Sequence, residues 1–329
     1  MRAIVIVNAA SGVRDRKIDE ECERIVAGLQ AGGVEATVQQ VPGAGLTGAA
    51  RAAAAGGADV VVMAGGDGTM SAGAAALAGG DCPMGVLPLG TLNHFARDLG
   101  IPQDLEGALA VVASGTVRRV DVGEANGHVF LNNASIGLYP HTVKAREKQQ
   151  DERGTGKWLA MCRAGLATLR RFPVVRVTLN LPTGAARVTT PLVFIGNNRY
   201  EMSLLSLGKR EALDGGELWL YVASHRGRAG FVSLALRAVI GRLDQARDFL
   251  GVALPEVTIV DRRRTIPIAF DGEVCEVDSP LRCRSRPASL PVIVPGPPDD
   301  SDSSRAERNS LLRSARGGQG GAAQHPPAR

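Results

Sequence analysis

The densest group of chemically useful residues is Gly65-Gly66-Asp67-Gly68-Thr69, which follows the apolar run Asp59–Ala64 and opens an Ala-rich helical window. Three glycines let a backbone approach a ligand closely, so successive N–H groups and the N-terminus of the next helix can face a polyphosphate. Thr69 adds a hydroxyl. A carboxylate among phosphate-binding loops repels the ligand unless a cation lies between them, which makes Asp67 a group that holds Mg²⁺ through water. The same residues also suit a tight strand-to-helix turn with Asp67 as N-cap, and the motif alone leaves both readings open. Two more polar loops follow apolar runs: Asn8-Ala9-Ala10-Ser11-Gly12 and Gly90-Thr91-Leu92-Asn93. Nearer the C-terminus, Asp271-Gly272-Glu273 sets two carboxylates around a glycine between two strand-like runs, the composition of a hairpin turn.

These residues need elements to position them. Short β-branched runs and helical windows alternate over the first 113 residues: Ala3–Val7, Ile18–Leu29, Val34–Gln40, Thr47–Ala55, Asp59–Ala64, Thr69–Ala78 and Met84–Leu89. That rhythm predicts βα units around a mostly parallel sheet, whose ligands lie at the carboxyl ends of the strands. The loops at Asn8–Gly12, Gly65–Thr69 and Gly90–Asn93 all occupy such ends and are expected to meet in one crevice.

Beyond residue 115 the pattern changes to strands. Arg118–Glu124, the Asn126-Gly127 turn and His128–Ala134 read as a hairpin. Further strands are expected at Val174–Leu181, Arg187–Gly196, Glu217–Ser224, Val257–Asp261, Thr265–Phe270, Glu273–Val277 and Leu290–Val294, with helical windows at Gly156–Arg171 and Arg228–Phe249. The expected fold is α/β: a three-layer, mostly parallel nucleotide-binding domain over 1–115, then a β-sandwich-type domain over 116–294 whose strand 290–294 is able to return to the first domain. Residues 295–329, rich in Pro, Gly, Ser, Asp and Arg, are expected to be a disordered tail.

Composition limits the rest. The chain has 329 residues, 44% hydrophobic and 22% charged, which excludes wholesale disorder and fibrous repeats. Thirty-eight basic residues against 33 acidic ones give a net charge of +5, but the excess is spread along the chain, and a nucleic-acid partner is not expected. Five cysteines without a CxxC pair fit neither a disulfide framework nor a zinc ribbon and predict reduced, cytoplasmic thiols. The first apolar run is too short for a signal segment, and no stretch reaches the roughly 18 apolar residues of a membrane span. Any membrane contact is therefore expected to be peripheral.

The GGDGT motif after a buried strand resembles the diacylglycerol kinase catalytic domain family, which shares it with NAD kinases and phosphofructokinases. Asn8-Ala9-Ala10-Ser11-Gly12 resembles that family's first nucleotide loop, N-P-x-S-G, and Pro88–Arg97 resembles its P-x-G-T-x-N-D-F-A-R loop. Asp271-Gly272-Glu273 resembles the D-G-E that carries its catalytic acidic residues. Four motifs in the family's order are closest to the bacterial YegS-like lipid kinases, whose second domain is a β-sandwich. Where the family has Asp, this chain has His94, and a neutral imidazole cannot replace the charge. The family's L-D-D-G-x-L segment, associated with a structural Mg²⁺, appears as Leu213-Asp214-Gly215-Gly216-Glu217-Leu218, which makes Asp214 the implied metal residue; Asp121 separately resembles an acidic position that supports the metal network from the domain junction, or is a plain strand-end Asp.

The resemblance implies an ATP- and Mg²⁺-dependent kinase that transfers the γ-phosphoryl group to a lipid hydroxyl, with diacylglycerol as the leading acceptor. Asn8, Ser11, Gly12, Gly65, Gly66, Asp67, Gly68, Thr69, Gly90, Thr91 and Asn93 would bind the nucleotide. Glu273 would take the hydroxyl proton, with Asp271 orienting the acceptor or sharing Mg²⁺ and Asp67 tied to the metal. The implied location is the cytoplasm, at the inner membrane face. The amphipathic window Arg226–Arg242 and Trp158 are candidates for contact with headgroups, and a homodimer stays open. An NAD kinase-like enzyme and a non-catalytic nucleotide- or lipid-binding protein are the alternatives.

Overall fold

In a computed structural model of the chain, the described residues are 1–9, 16–137, 174–182, 184–200, 210, 212–223 and 249–296. Ser11, Gly12, Trp158, both later helical windows up to residue 248, and the tail from 297 lie outside them.

The first domain is built on β1 (Arg2–Asn8), β2 (Glu35–Val41), β3 (Val60–Gly65) and β4 (Met84–Pro88), which pair in parallel in the order β2-β1-β3-β4. A parallel sheet covered on both faces requires strands that are apolar throughout. β3 meets this requirement with Val60, Val61, Val62, Met63 and Ala64 all at 0% exposure. Helices α1 (Arg16–Ala31) and α5 (Leu105–Ser114) pack together on one face, where a Cβ on Gly28 would lie 2.6 Å from a Leu109 methyl. Helices α2 (Leu46–Ala55) and α3 (Asp67–Leu77) pack together as another pair, with Thr47 Oγ1 donating to Ala72 O at 3.2 Å. The short helix α4 (His94–Asp98) follows the loop after β4.

The second half is antiparallel. Strands β5 (Thr116–Ala125) and β6 (His128–Phe130) form the expected hairpin, its turn made by Asn126 at φ 46 and Gly127 at φ 86. Two successive positive φ angles match the twist of the flanking strands, and Asn-Gly tolerates them. A six-stranded antiparallel sheet runs β12 (Phe249–Leu254), β11 (Leu218–Ala223), β10 (Leu192–Asn197), β7 (Asn133–Gly137), β14 (Thr265–Phe270) and β15 (Glu273–Asp278). Strands β13 (Glu256–Asp261), β8 (Val175–Leu181) and β9 (Gly184–Thr190) extend the first sheet to ten strands through β16 (Leu281–Val294). Ile136, Ile195 and Ile268 from one sheet and Leu179, Ile259 and Leu281 from the other share one core, which makes the second half a sandwich.

Four strand expectations change. His128–Ala134 is split: His128–Phe130 is β6 of the ten-stranded sheet, and Asn133 begins β7 of the six-stranded one. Arg187–Gly196 is two strands in different sheets, because Pro191, lacking an N–H, falls where the chain leaves β9 and enters β10. Phe249, read as a helix end, begins β12. Leu290–Val294 is the last third of the 14-residue β16, whose earlier part alternates buried Leu281 and Cys283 with exposed Arg282 and Arg284. A register shift between Arg286 and Leu290 bends β16 where it passes from the sandwich to the parallel sheet, and its Val292 pairs in parallel with Met84 of β4. Among the described residues, no helix is long and apolar enough to cross a membrane.

Candidate functional site

The strand-end loops meet. Asn8, the last residue of β1, donates through Nδ2 to Thr69 Oγ1 at 3.3 Å. The loop after β4 touches the one after β3: a Cβ on Gly90 would lie 2.5 Å from Gly66 Cα. Leu89 N–H donates to Gly65 O at 3.0 Å, which ties the same loops by their backbones. Asn93, buried and left-handed at φ 49, accepts from Gly90 N–H at 3.0 Å and donates to Gly90 O at 2.9 Å. Its amide is thereby committed to shaping this loop, while Thr91 is exposed.

Gly66 is the N-cap of α3 and Asp67 its first residue, so Asp67 is not the cap. A carboxylate in the first turn is favoured by the helix dipole, and Asp67 Oδ1 also accepts a long 3.5 Å bond from Phe95 N–H of α4. Thr69 is 2% exposed, so its hydroxyl chiefly joins α3 to β1.

The second domain delivers the Asp271-Gly272-Glu273 segment to the same place. Asp271 at φ 47 and Gly272 at φ 96 form the tight turn from β14 to β15. A Cβ on Gly68 would lie 2.8 Å from Glu273 Oε1, so this carboxylate rests on the glycine loop across the domain boundary. Asn8, Gly66, Gly68, Thr69, Asp271 and Glu273 line one cavity of about 820 Å³, together with Thr47 and Arg51 of α2 and His128 of β6. The His128 ring stacks on Phe270, centroids 5.3 Å apart.

Asp271 has a different environment from Glu273. Its Oδ2 accepts from Ser71 Oγ at 2.6 Å and Leu131 N–H at 2.8 Å, and its Oδ1 from Asn132 and Asn133 N–H at 2.7 and 3.0 Å. Burial pushes this carboxyl above the usual range, and the four donors pull the other way. With both oxygens engaged, Asp271 positions the turn and joins it to α3, whereas Glu273 remains exposed. Ser71 was not singled out in the sequence. Its signal is the i+4 spacing from Asp67, which puts it one helical turn along the same face.

The implied junction metal meets residues already in use. Asp121, 2% exposed, accepts from Gly216 N–H at 2.6 Å, Asn198 Nδ2 at 3.1 Å and Ala288 N–H at 2.8 Å. Asp214 pairs with Arg118 at 2.6 Å, both side chains about half exposed. A Cβ on Gly215 would lie 2.7 Å from Asn198 Oδ1, so the room for a second acidic side chain is taken. Among the described residues, no three His, Cys, Asp or Glu side chains converge. These residues do not fit a divalent ion: Asp121 instead holds the 213–217 loop and the β16 bend by hydrogen bonds. The site at the glycine loop differs, because Mg²⁺ is commonly held by one or two carboxylates together with substrate phosphates, and Asp67 is the carboxylate that could do so there, although it lies beside the cavity lining rather than in it.

The sequence model described as "Diacylglycerol kinase catalytic domain" matches residues 2–125. A protein of Chromohalobacter salexigens named "Probable lipid kinase YegS-like" is 28% identical over 255 residues, 75% of this chain and 79% of that one. The "Diacylglycerol kinase" of Bacillus subtilis is 37% identical over 140 residues, 41% of this chain and 46% of its own length. In fold, the chain is similar to a solved putative diacylglycerol kinase from Bacillus anthracis, with a TM-score of 0.67 and 23% identity over 89% of this chain and 97% of that one. Asn8, Gly66, Gly68 and Thr69 of the cavity, and the Gly90–Asn93 loop beside it, all lie inside the segment 2–125 that matches the diacylglycerol kinase catalytic domain, whereas Asp271 and Glu273 lie beyond it.

Proposed function

We propose that the chain is a lipid kinase that transfers the γ-phosphoryl group of ATP to the hydroxyl of a membrane lipid, diacylglycerol first among the candidates. The observation that carries this reading is the Glu273 carboxylate resting against Gly68 of the phosphate-type loop, inside a cleft between two domains. A phosphoryl acceptor needs a base within hydrogen-bond reach and a donor phosphate held in line, so the two features belong together.

The residues divide the work by position. Backbone N–H groups at Gly66, Gly68 and the start of α3 would cradle the phosphates. Asn8 and Asn93 hold the loops in register, the first through Thr69 and the second through Gly90. Glu273 accepts the hydroxyl proton as the acceptor oxygen attacks. Asp271 fixes the turn that carries Glu273 and keeps it against α3. Mg²⁺, held by Asp67 through water, would supply charge neutralisation on the transferring group.

Incubation with γ-labelled ATP, Mg²⁺ and mixed vesicles containing diacylglycerol, with NAD as a parallel acceptor, tests the reading. Labelled phosphatidic acid is expected. Label on NAD with none on any lipid of a broad panel would replace it by the NAD kinase alternative, and ATP binding without transfer would replace it by the non-catalytic one. In a cell the protein would act at the inner face of the membrane.

A further inference from the structure

We infer that Arg210 and Asp98, a buried ion pair outside the glycine loops and the catalytic turn, form the clamp that holds the two halves of the catalytic site in register. The inference rests on the kinase reading above for its catalytic consequence, and on geometry alone for the coupling.

The guanidinium of Arg210 is 1% exposed and the carboxylate of Asp98 8% exposed. Arg210 Nε donates to Asp98 Oδ2 at 2.8 Å, and Nη1 donates to Leu131 O at 2.6 Å. Each partner lies next to a different half of the site. Asp98 ends α4, the helix that begins at the residue after Asn93 and whose Phe95 N–H reaches Asp67. Leu131 begins the stretch whose N–H groups, with those of Asn132 and Asn133, are bonded to Asp271, two residues from Glu273. One side chain therefore joins the Asp67 side to the Glu273 side through buried bonds at both ends.

Stability alone does not account for the pair. A buried ion pair is commonly no better than apolar residues of the same volume, because taking both charges out of water offsets their attraction. Here burial pushes the Asp98 carboxyl up even with Arg210 against it. Arg210 Nη2 is also buried without a hydrogen-bond partner. What the planar guanidinium adds is direction: two donors at fixed angles, one toward each half of the site, which neither a lysine nor an apolar residue reproduces.

The test uses Arg210→Lys, which keeps the charge and the reach to Asp98 but offers no second fixed donor, and Asp98→Asn, which keeps an oxygen for Nε. Hydrogen–deuterium exchange of the native full-length proteins and steady-state kinetics with ATP and the lipid acceptor are the readouts. For Arg210→Lys, exchange is expected to rise together at 94–98 and at 131–133, with kcat reduced tenfold or more and KM for ATP within twofold. Asp98→Asn should give the same pattern more weakly, and it decides the matter if the lysine variant does not fold. A rise in exchange confined to the surroundings of residue 210, or kcat within twofold of the parent, would overturn the clamp. If the parent chain phosphorylates no lipid, the kinase reading falls while the exchange pattern still decides whether Arg210 couples the two segments.

Discussion

Glu273 and Asp271 stand two positions apart and do opposite things because of what surrounds them. Asp271 has four donors and a buried carboxylate, and Glu273 has an exposed one facing the cleft. Glu273→Gln keeps the size of the side chain but cannot take a proton, so kcat is expected to fall by about 10² to 10⁴ with little change in the apparent affinity for ATP. Steady-state kinetics check this, and a loss below tenfold would remove Glu273 from the role of base. Gly68→Ala tests the same contact from the other side. Its Cβ would lie 2.8 Å from Glu273 Oε1, the mobile end of a flexible side chain, which must move aside. In the first turn of α3, alanine also favours the helix by about 0.5–1 kcal/mol. The variant is expected to melt no lower than the parent and to turn over about 10- to 100-fold more slowly, since misplacing a reacting group by an ångström costs that much. Slow turnover with a lowered melting temperature would instead mean a damaged fold.

At the scale of elements, the site depends on how closely two strand-end loops approach. A Cβ on Gly90 meets the Cα of Gly66 at 2.5 Å, and backbone cannot yield as a side chain does, while a Cβ on Gly66 meets Gly90 Cα at 3.4 Å. Gly90→Ala should therefore cost about 1–3 kcal/mol and raise KM for ATP several-fold, and Gly66→Ala should do less of both. Thermal melts and nucleotide titrations of the pair check the order; a reversed order would show that the loops do not touch in this way. The hairpins at Asn126-Gly127 and Asp271-Gly272 were legible because both residues of each turn take positive φ, and few residue pairs allow that. The break at Pro191 was less visible: two strands that are continuous in sequence belong to different sheets, and local preference carries no information about which sheet a strand joins.

At the scale of the whole molecule, β16 serves both cores. Leu281 and Leu290, each at 0% exposure, lie on this one strand, the first in the sandwich core and the second in the α/β core. Leu281→Ala should cost about 2–5 kcal/mol, and the loss should reach the parallel sheet as well as the sandwich. Thermal unfolding followed by tryptophan fluorescence in a Trp158→Phe background, which leaves Trp219 of β11 as the reporter, and by amide exchange of β3 is expected to shift both signals together; two separate transitions would show that the halves unfold independently. The fold class, the βα rhythm, the hairpin turns and the loops at Asn8, Gly65 and Gly90 could all be read from the chain, because hydrophobic period and turn chemistry are local properties. Tertiary structure alone decided that Asp271 is a buried anchor and Glu273 the accessible carboxylate. It also placed Asp121 under three donors and Asp214 beside Arg118, and it brought Arg210 to Asp98 across 112 positions of sequence. The reason is physical: whether a polar group is a ligand or a strut depends on which donors and charges reach it, and those arrive from segments whose spacing in the sequence says nothing of their meeting.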